Sequence, residues 1–293
     1  MANITQNCPN TIELAWRWAA SLLTESDSAQ LDAQLLLLHV LKQHNRVYLL
    51  TWPDKSLTTE QIQHFCQLVD TRLHGHPIAH IIGEREFWGL PLKVNPSTLI
   101  PRPDTETLVE VVINQVDQQS TWSKQPVKLV DLGTGTGAIA LALKSEFPHW
   151  QVSAVEYNPQ AAELARQNAL KLALPIEIYQ GSWFEPFANT DRCFDIIVSN
   201  PPYIEQNDPH IDTGDVRFEP ISALVAQDQG LADIRHIAIT ALQYLNTGGL
   251  LAFEHGYTQA AAVTALLSEL GYKNIQTVKD IAQQDRITFA YKQ

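Results

Sequence analysis

Two short stretches and one isolated carboxylate carry the residue types that do chemistry: Asp131-Leu132-Gly133-Thr134-Gly135-Thr136-Gly137-Ala138, then Glu156, then Asp195-Ile196-Ile197-Val198-Ser199-Asn200-Pro201-Pro202-Tyr203. The last is an apolar run that must stop at Asn200, because neither proline has an N–H to extend a ladder. Read alone, such an ending is ordinary punctuation. What it holds still is less ordinary. The Asn200 side-chain oxygen and the Pro201 carbonyl can each accept one hydrogen of a planar NH2 group, Pro202 stiffens the mount, and Tyr203 offers a ring on which that group can stack. A planar nitrogen is a weak nucleophile because its lone pair is delocalised. Two acceptors that draw its hydrogens toward a tetrahedral arrangement favour the pyramidal transition state. No strong base is required before attack, since the proton becomes acidic only once the new bond has formed.

The glycine stretch lies between an apolar run and a helical one. Glycines at such a turn let the backbone approach a ligand and expose N–H groups at the helix start, so a nucleotide-like ligand is expected. Glu156, 19 positions after Gly137, ends the next strand, where a carboxylate can accept hydrogen bonds from both hydroxyls of a ribose. Gly133-x-Gly135-x-x-Ala138 also satisfies the dinucleotide fingerprint, which leaves a nicotinamide or flavin as the alternative. Asp131, immediately ahead of the glycines, favours S-adenosyl-L-methionine, because it repels a pyrophosphate and attracts a sulfonium and an ammonium. Trp183, in Gln180-Gly181-Ser182-Trp183-Phe184, is placed equally well to cover an adenine face or to sit in a core.

These residues need a scaffold that brings strand ends together. From 104 onward strands and helices alternate: Val127 to Asp131, a helix from Ala138, Gln151 to Val155, a helix from Pro159, Ile176 to Tyr179, Ile196 to Ser199, a helix over 231–245 and a strand over 250–253. That order predicts an α/β, doubly wound, Rossmann-like parallel sheet with helices on both faces, whose ligands bind at the carboxyl ends of the strands. Asn274 to Val278 and Arg286 to Tyr291 are expected to form a hairpin at one edge. Ahead of this domain, apolar residues recur at helical spacing from Ile12 to Val69, predicting a small helical bundle over 1–80 with helix starts at Ser28 and at Thr58 or Thr59. Between the two, over 81–103, alternating runs about Gly89-Leu90-Pro91 predict a β-hairpin linker.

Composition bounds the partners. The 293 residues carry 20 Lys and Arg against 32 Asp and Glu, a formal charge of −12, which disfavours a protein that grips phosphate backbones. The three cysteines, Cys8, Cys66 and Cys193, form no CxxC pair, so neither a disulfide framework nor a metal site is expected, and a reducing cytoplasm fits. No leader and no membrane span are expected: the densest apolar run, Leu35 to Leu41, is short and contains His39. His74, His76 and His80 have no Cys or carboxylate to complete a metal set and read as a helix-end cluster.

Together DLGTGTGAIALAL, SWF and VSNPPYI resemble the class I methyltransferases that act on planar nitrogens. The segment Leu99-Ile100-Pro101-Arg102-Pro103-Asp104-Thr105-Glu106 is similar to the IPRPxTE signature of the protein-(glutamine-N5) methyltransferases of peptide-chain release factors, and Arg217-Phe218-Glu219-Pro220 resembles that family too. The resemblance covers nearly the whole chain. It implies methylation of the glutamine in the Gly-Gly-Gln loop of class 1 release factors, with the helical domain docking the release factor. It also implies cofactor contacts at Gly133, Thr134, Gly135, Thr136, Gly137, Glu156, Trp183 and Asn200, and substrate contacts at Asn200, Pro201, Pro202 and Tyr203. Two departures stand out: Ser182 where the family often has an acid, and Glu156 where Asp is frequent. A ribosomal-protein glutamine, or an adenine amine of DNA, presents the same NH2 and remains an alternative acceptor. Pro101 to Glu106 also reads as a plain helix start, and Arg217 with Glu219 as a surface pair.

Overall fold

The computed structural model describes residues 7–118, 122 and 126–293, in two compact units, Met1–Gly83 and Glu84–Gln293. The first is helical: α1 (Ile12–Leu22), α2 (Ala29–Leu41), α3 (Val47–Thr51), α4 (Thr59–Leu73) and α5 (Ile78–Ile82). Its core takes periodic positions such as Ile12, Ala15, Leu36, Phe65 and Val69, all without solvent exposure, while Leu14 and Leu31 stay exposed. Of the two candidate starts for α4, Thr58 is the cap: its hydroxyl accepts from the Gln61 N–H while the Gln61 side chain accepts from the Thr58 N–H, a reciprocal capping box. Ser28 precedes α2 as expected but caps no amide. Its hydroxyl donates instead to Asp32, which also pairs with Arg72 at 2.8 Å.

The hairpin falls in the second unit: β1 (Glu84–Phe87) and β2 (Leu90–Lys93) pair antiparallel. The expected Gly-Leu-Pro turn is corrected to Trp88-Gly89, which have φ of 54° and 71°, the two positive values that a tight hairpin turn of matching twist requires. Leu90 and Pro91 already belong to β2. Then follow α6 (Glu106–Gln118), β3 (Lys128–Leu132), α7 (Ala138–Glu146), β4 (Gln151–Glu156), α8 (Pro159–Leu172), β5 (Glu177–Gln180), β6 (Phe194–Ser199), the short β7 (Ile204–Glu205) and β8 (Val225–Ala226), α9 (Ala232–Tyr244), β9 (Leu245–Glu254), α10 (Ala260–Glu269), β10 (Lys273–Lys279) and β11 (Asp285–Tyr291).

The large sheet runs β10-β11-β9-β6-β3-β4-β5, parallel from β9 to β5. The closing hairpin sits at one edge, with β11 antiparallel to β9 and β10 outermost. Successive residues of β6 point to opposite faces. Ile196 and Val198 join the side built with Leu108, Val112 and Ile139, and Ile197 joins the side built with Ile234, Ile237 and Val263, so the run is buried on both faces. Strand order reverses between β3 and β6: the chain winds outward from β3 to β5 and returns on the far side of β3. Such a reversal splays the connections apart and opens a crevice at the carboxyl ends of the two strands. Among the described residues no helix is long and apolar enough to cross a membrane.

Candidate active site

Leu132 and Ser199, the last residues of β3 and β6, lie side by side, and the Ser199 hydroxyl donates to the Leu132 carbonyl at 2.7 Å. The glycine loop and Asn200 therefore leave the sheet together at the switch point. A cavity of about 320 Å³ opens there, toward the lower end of the roughly 300–1,000 Å³ range of small-molecule sites. Its wall includes Gly133 to Thr136, Glu156, Trp183, Asn200 and Pro202, which the sequence placed in the site. Four other expected site residues do not line it: Asp131, Gly137, Pro201 and Tyr203.

Each of those four is held by local packing. Asp131 is fully buried behind the loop and accepts the Thr134 hydroxyl at 2.5 Å; burial pushes its carboxyl up to about 7, against the lowering effect of that hydroxyl. It positions the loop instead of facing a ligand. Gly137, with φ +86°, starts α7 where a Cβ would meet Leu141 and Ala165 at 3.1 and 3.5 Å. Its role is close packing. Pro201 is buried behind the wall, and Tyr203 turns its hydroxyl inward to Glu254 Oε1 at 3.2 Å.

Four amides of the glycine loop, ahead of the helix start at Ala138, are taken up inside the protein. Gly133 and Thr134 both donate to the Val155 carbonyl at 2.9 and 3.0 Å, Gly137 donates to the Thr134 carbonyl at 2.8 Å, and Gly135 donates to Glu156 Oε2 at 2.8 Å. A loop that crosses the end of β4 satisfies its buried donors on that strand. A phosphate cradle needs such amides turned outward, so these four cannot serve one. The loop fits a cationic ligand that carries a ribose. Glu156 is set for the hydroxyls: its oxygens accept from Gly135 and from Asn158, both at 2.8 Å, and each keeps a lone pair. Burial raises its pKa, and the Asn158 and Gly135 amides oppose the rise.

Trp183 stands between cavity and core. It lines the cavity and packs on the core side built with Phe184 and Phe187. Its backbone takes φ +45°, and its ring lies 3.2 Å from where a Cβ on Gly133 would stand, so Gly133 makes room for the indole.

Over the cavity runs the segment 97–102, held by a carboxylate far along the chain. Glu219, 4% exposed, accepts the Ile100 N–H at 3.3 Å and pairs with the Arg102 guanidinium. The surface pair of Arg217 with Glu219 is overturned: Glu219 turns inward, while Arg217 lies over the Phe218 ring at 4.9 Å. The segment Pro101 to Glu106 proves to be helix start and site together. Pro103–Thr105 form one 3-10 turn leading into α6, and Thr105 lines the cavity and accepts from Asn200 Nδ2 at 3.3 Å. Asn168, fully buried on α8, clamps the loop from behind by donating to the Thr136 and Lys93 carbonyls at 2.9 and 3.0 Å.

The region 15–83 matches the model of the PrmC N-terminal domain, and 106–219 matches the methyltransferase small domain. A release factor glutamine methyltransferase of Vibrio cholerae serotype O1 is 55% identical over 281 residues, covering 95% of this chain and 96% of that one. The Escherichia coli K12 protein of the same description is 47% identical over 93% of this chain and 95% of its own. This chain belongs to the release factor glutamine methyltransferase family. The fold is shared more widely: a crystal structure of a Pyrococcus furiosus methyltransferase is 18% identical, covers 70% of this chain and 89% of its own, and superposes with a TM-score of 0.51.

Within this family member, several wall residues carried no signal in the sequence. Phe87 comes from the hairpin, Thr98 from the covering segment and Asp233 from the first turn of α9. Thr98, 2% exposed, keeps a hydroxyl with no hydrogen-bond partner among the described residues. Isolated polar residues in unremarkable surroundings become visible only when the fold converges them. For Glu156, Gln substitution is expected to weaken cofactor binding about tenfold or more, on the order of 1.5–3 kcal/mol for a charge-assisted bond, with kcat little changed. Isothermal titration with the cofactor measures this; undiminished affinity refutes the ribose role.

Proposed function

We propose that this chain transfers a methyl group from S-adenosyl-L-methionine to the side-chain amide nitrogen of the glutamine in the Gly-Gly-Gln loop of class 1 peptide chain release factors. What carries the reading is Asn200 at the switch point, on the wall of a cavity that also presents Glu156, in a chain of this family. Bound there, S-adenosyl-L-methionine would supply an electrophilic methyl group, its sulfur–methyl bond breaking to leave S-adenosyl-L-homocysteine. Glu156 would hold the ribose, and Trp183 and the glycine loop would line the rest of its site.

The protein's part in the reaction is to shape the nucleophile. Asn200 Oδ1 and the Pro201 carbonyl accept the two hydrogens of the substrate amide and stabilise the nitrogen as it becomes pyramidal. Tyr203, anchored through its hydroxyl to Glu254 behind the cavity wall, stiffens the loop that carries Asn200. Once nitrogen has gained the methyl group, its extra proton is acidic and leaves to water. The helical unit docks the release factor, and the reaction takes place in the cytoplasm without direct binding of nucleic acid.

Incubation with methyl-labelled cofactor and three acceptors in parallel, a release factor, ribosomal proteins and DNA, tests this. Label on one release-factor glutamine, located by mass spectrometry of the tryptic peptides, is the expected result. Label confined to ribosomal protein or to DNA adenine overturns it.

A further inference from the structure

Asn200 can serve a substrate NH2 only if its oxygen, and not its own NH2, faces the cavity. A planar amide presents either end with almost the same shape, so its surroundings must choose. Here the choice is made by Thr105, whose hydroxyl oxygen accepts from Asn200 Nδ2 at 3.3 Å. A hydroxyl that accepts this bond must direct its proton elsewhere. Beside it stands Glu254, the last residue of β9 and 2% exposed. The pairing of Ser199 with Phe253 puts Asn200 and Glu254 next to each other at the point where β6 leaves the sheet. Glu254 Oε1 accepts the Tyr203 hydroxyl at 3.2 Å, and Oε2 is buried with no hydrogen-bond partner among the described residues.

We propose that Glu254 and Thr105 are positioning residues for methyl transfer: the Glu254 carboxylate accepts a hydrogen bond from the Thr105 hydroxyl, and this polarity fixes Asn200 with Oδ1 toward the substrate. The inference rests on the reading of Asn200 as the acceptor of the substrate amide. Tyr203 is drawn to the same carboxylate, so one buried group orients both side chains of the catalytic loop. Its charge state then matters. Burial pushes the Glu254 carboxyl up to about 7, opposed by the Thr105 hydroxyl, the Arg286 guanidinium and the Tyr203 hydroxyl, with Asp104 raising it further. Of the other neighbours, Arg286 is also paired with Asp280 at 3.0 Å, and the His255 ring is turned to Thr288 and the Gly256 carbonyl.

The sign follows from the chemistry. Above its pKa the carboxylate can only accept, and Thr105 must donate to it. Below, the protonated acid can donate to Thr105, which frees the threonine proton for Asn200 Oδ1 and allows the amide to present its NH2 to the substrate. Turnover is therefore present above pH 7 and falls as pH drops through that value.

Kinetics of the full chain on a release factor at saturating cofactor provide the test; Asp131 in the cofactor loop, also pushed up to about 7, can titrate in the same range, and the Glu254→Gln variant tells the two apart. Wild type should show an acid limb in kcat near pH 7, and Glu254→Gln should abolish that limb, because a neutral amide has no proton to gain there. Thr105→Val should lower kcat about 10- to 100-fold with the KM for cofactor unchanged, the scale of a misaligned catalytic group, and Thr105→Ser should restore it. Circular dichroism melts confirm that each variant is folded. An acid limb that persists in Glu254→Gln, or full turnover by folded Thr105→Val, overturns the proposal. Failure of wild type to label the release factor would instead refute the function itself.

Discussion

Asn200→Ala is expected to lower kcat about 10²- to 10³-fold, the usual loss when one preorganised polar group leaves a transition-state site. The alanine variant keeps the cavity and the backbone but removes the side-chain oxygen that Asn200 offers on the cavity wall to a hydrogen of the substrate amide. Stability should change little, within about 1 kcal/mol, because the one bond lost inside the protein, to Thr105 at 3.3 Å, joins two neutral groups. Methylation rates at saturating release factor and cofactor, paired with a denaturation curve, separate the two quantities. A folded variant with unchanged kcat would show that the nitrogen is made reactive by something other than Asn200.

Gly230→Ala should damage stability and turnover together. Gly230 has φ +80°, and a Cβ there would stand 2.1 Å from the Tyr203 carbonyl oxygen and 2.5 Å from Gln259 Nε2. Gln259 donates to that carbonyl and to the Gln229 carbonyl, each at 3.0 Å, so the methyl group enters the clamp that holds the catalytic loop from behind. Left-handed strain costs about 1–2 kcal/mol. The lost hydrogen bond costs about 1 kcal/mol more. Together they should lower the melting temperature by roughly 4–12 °C in a unit of this size. Relief of the clash moves the Tyr203 carbonyl, and a displacement of about 1 Å in the loop that carries Asn200 costs on the order of 100-fold in rate. Thermal melts and kcat measured on the same sample check both; a variant that melts and turns over like wild type would mean the loop absorbs the methyl without consequence.

Local chemistry explains why most of the scaffold was legible. Two adjacent prolines end β6 wherever they occur, Thr58 and Gln61 close a capping box without help, and the alternation of β-branched runs with helical ones fixes a parallel sheet before any contact is known. The hairpin turn was placed one residue too late because Gly89-Leu90-Pro91 looks like a turn in composition, whereas the twist of the paired strands required positive φ at Trp88 and Gly89. The inward role of Glu219 was invisible for a different reason. Its partners, Ile100 and Arg102, lie more than a hundred positions earlier, and no periodicity links them.

For the site, the same division holds. The sequence determined which groups could act: an amide oxygen on a proline mount, a carboxylate for ribose hydroxyls, and glycines at a strand-to-helix turn. Those are properties of residue types and short spacings. Only the tertiary structure decided which way they face. It turned the glycine amides onto β4, set Asp131 and Tyr203 behind the wall and put Thr105 and Glu254 beneath Asn200. Direction is set by strand order and by the buried donors and acceptors that each neighbouring strand must satisfy, and a strand's neighbours are not written in its own residues.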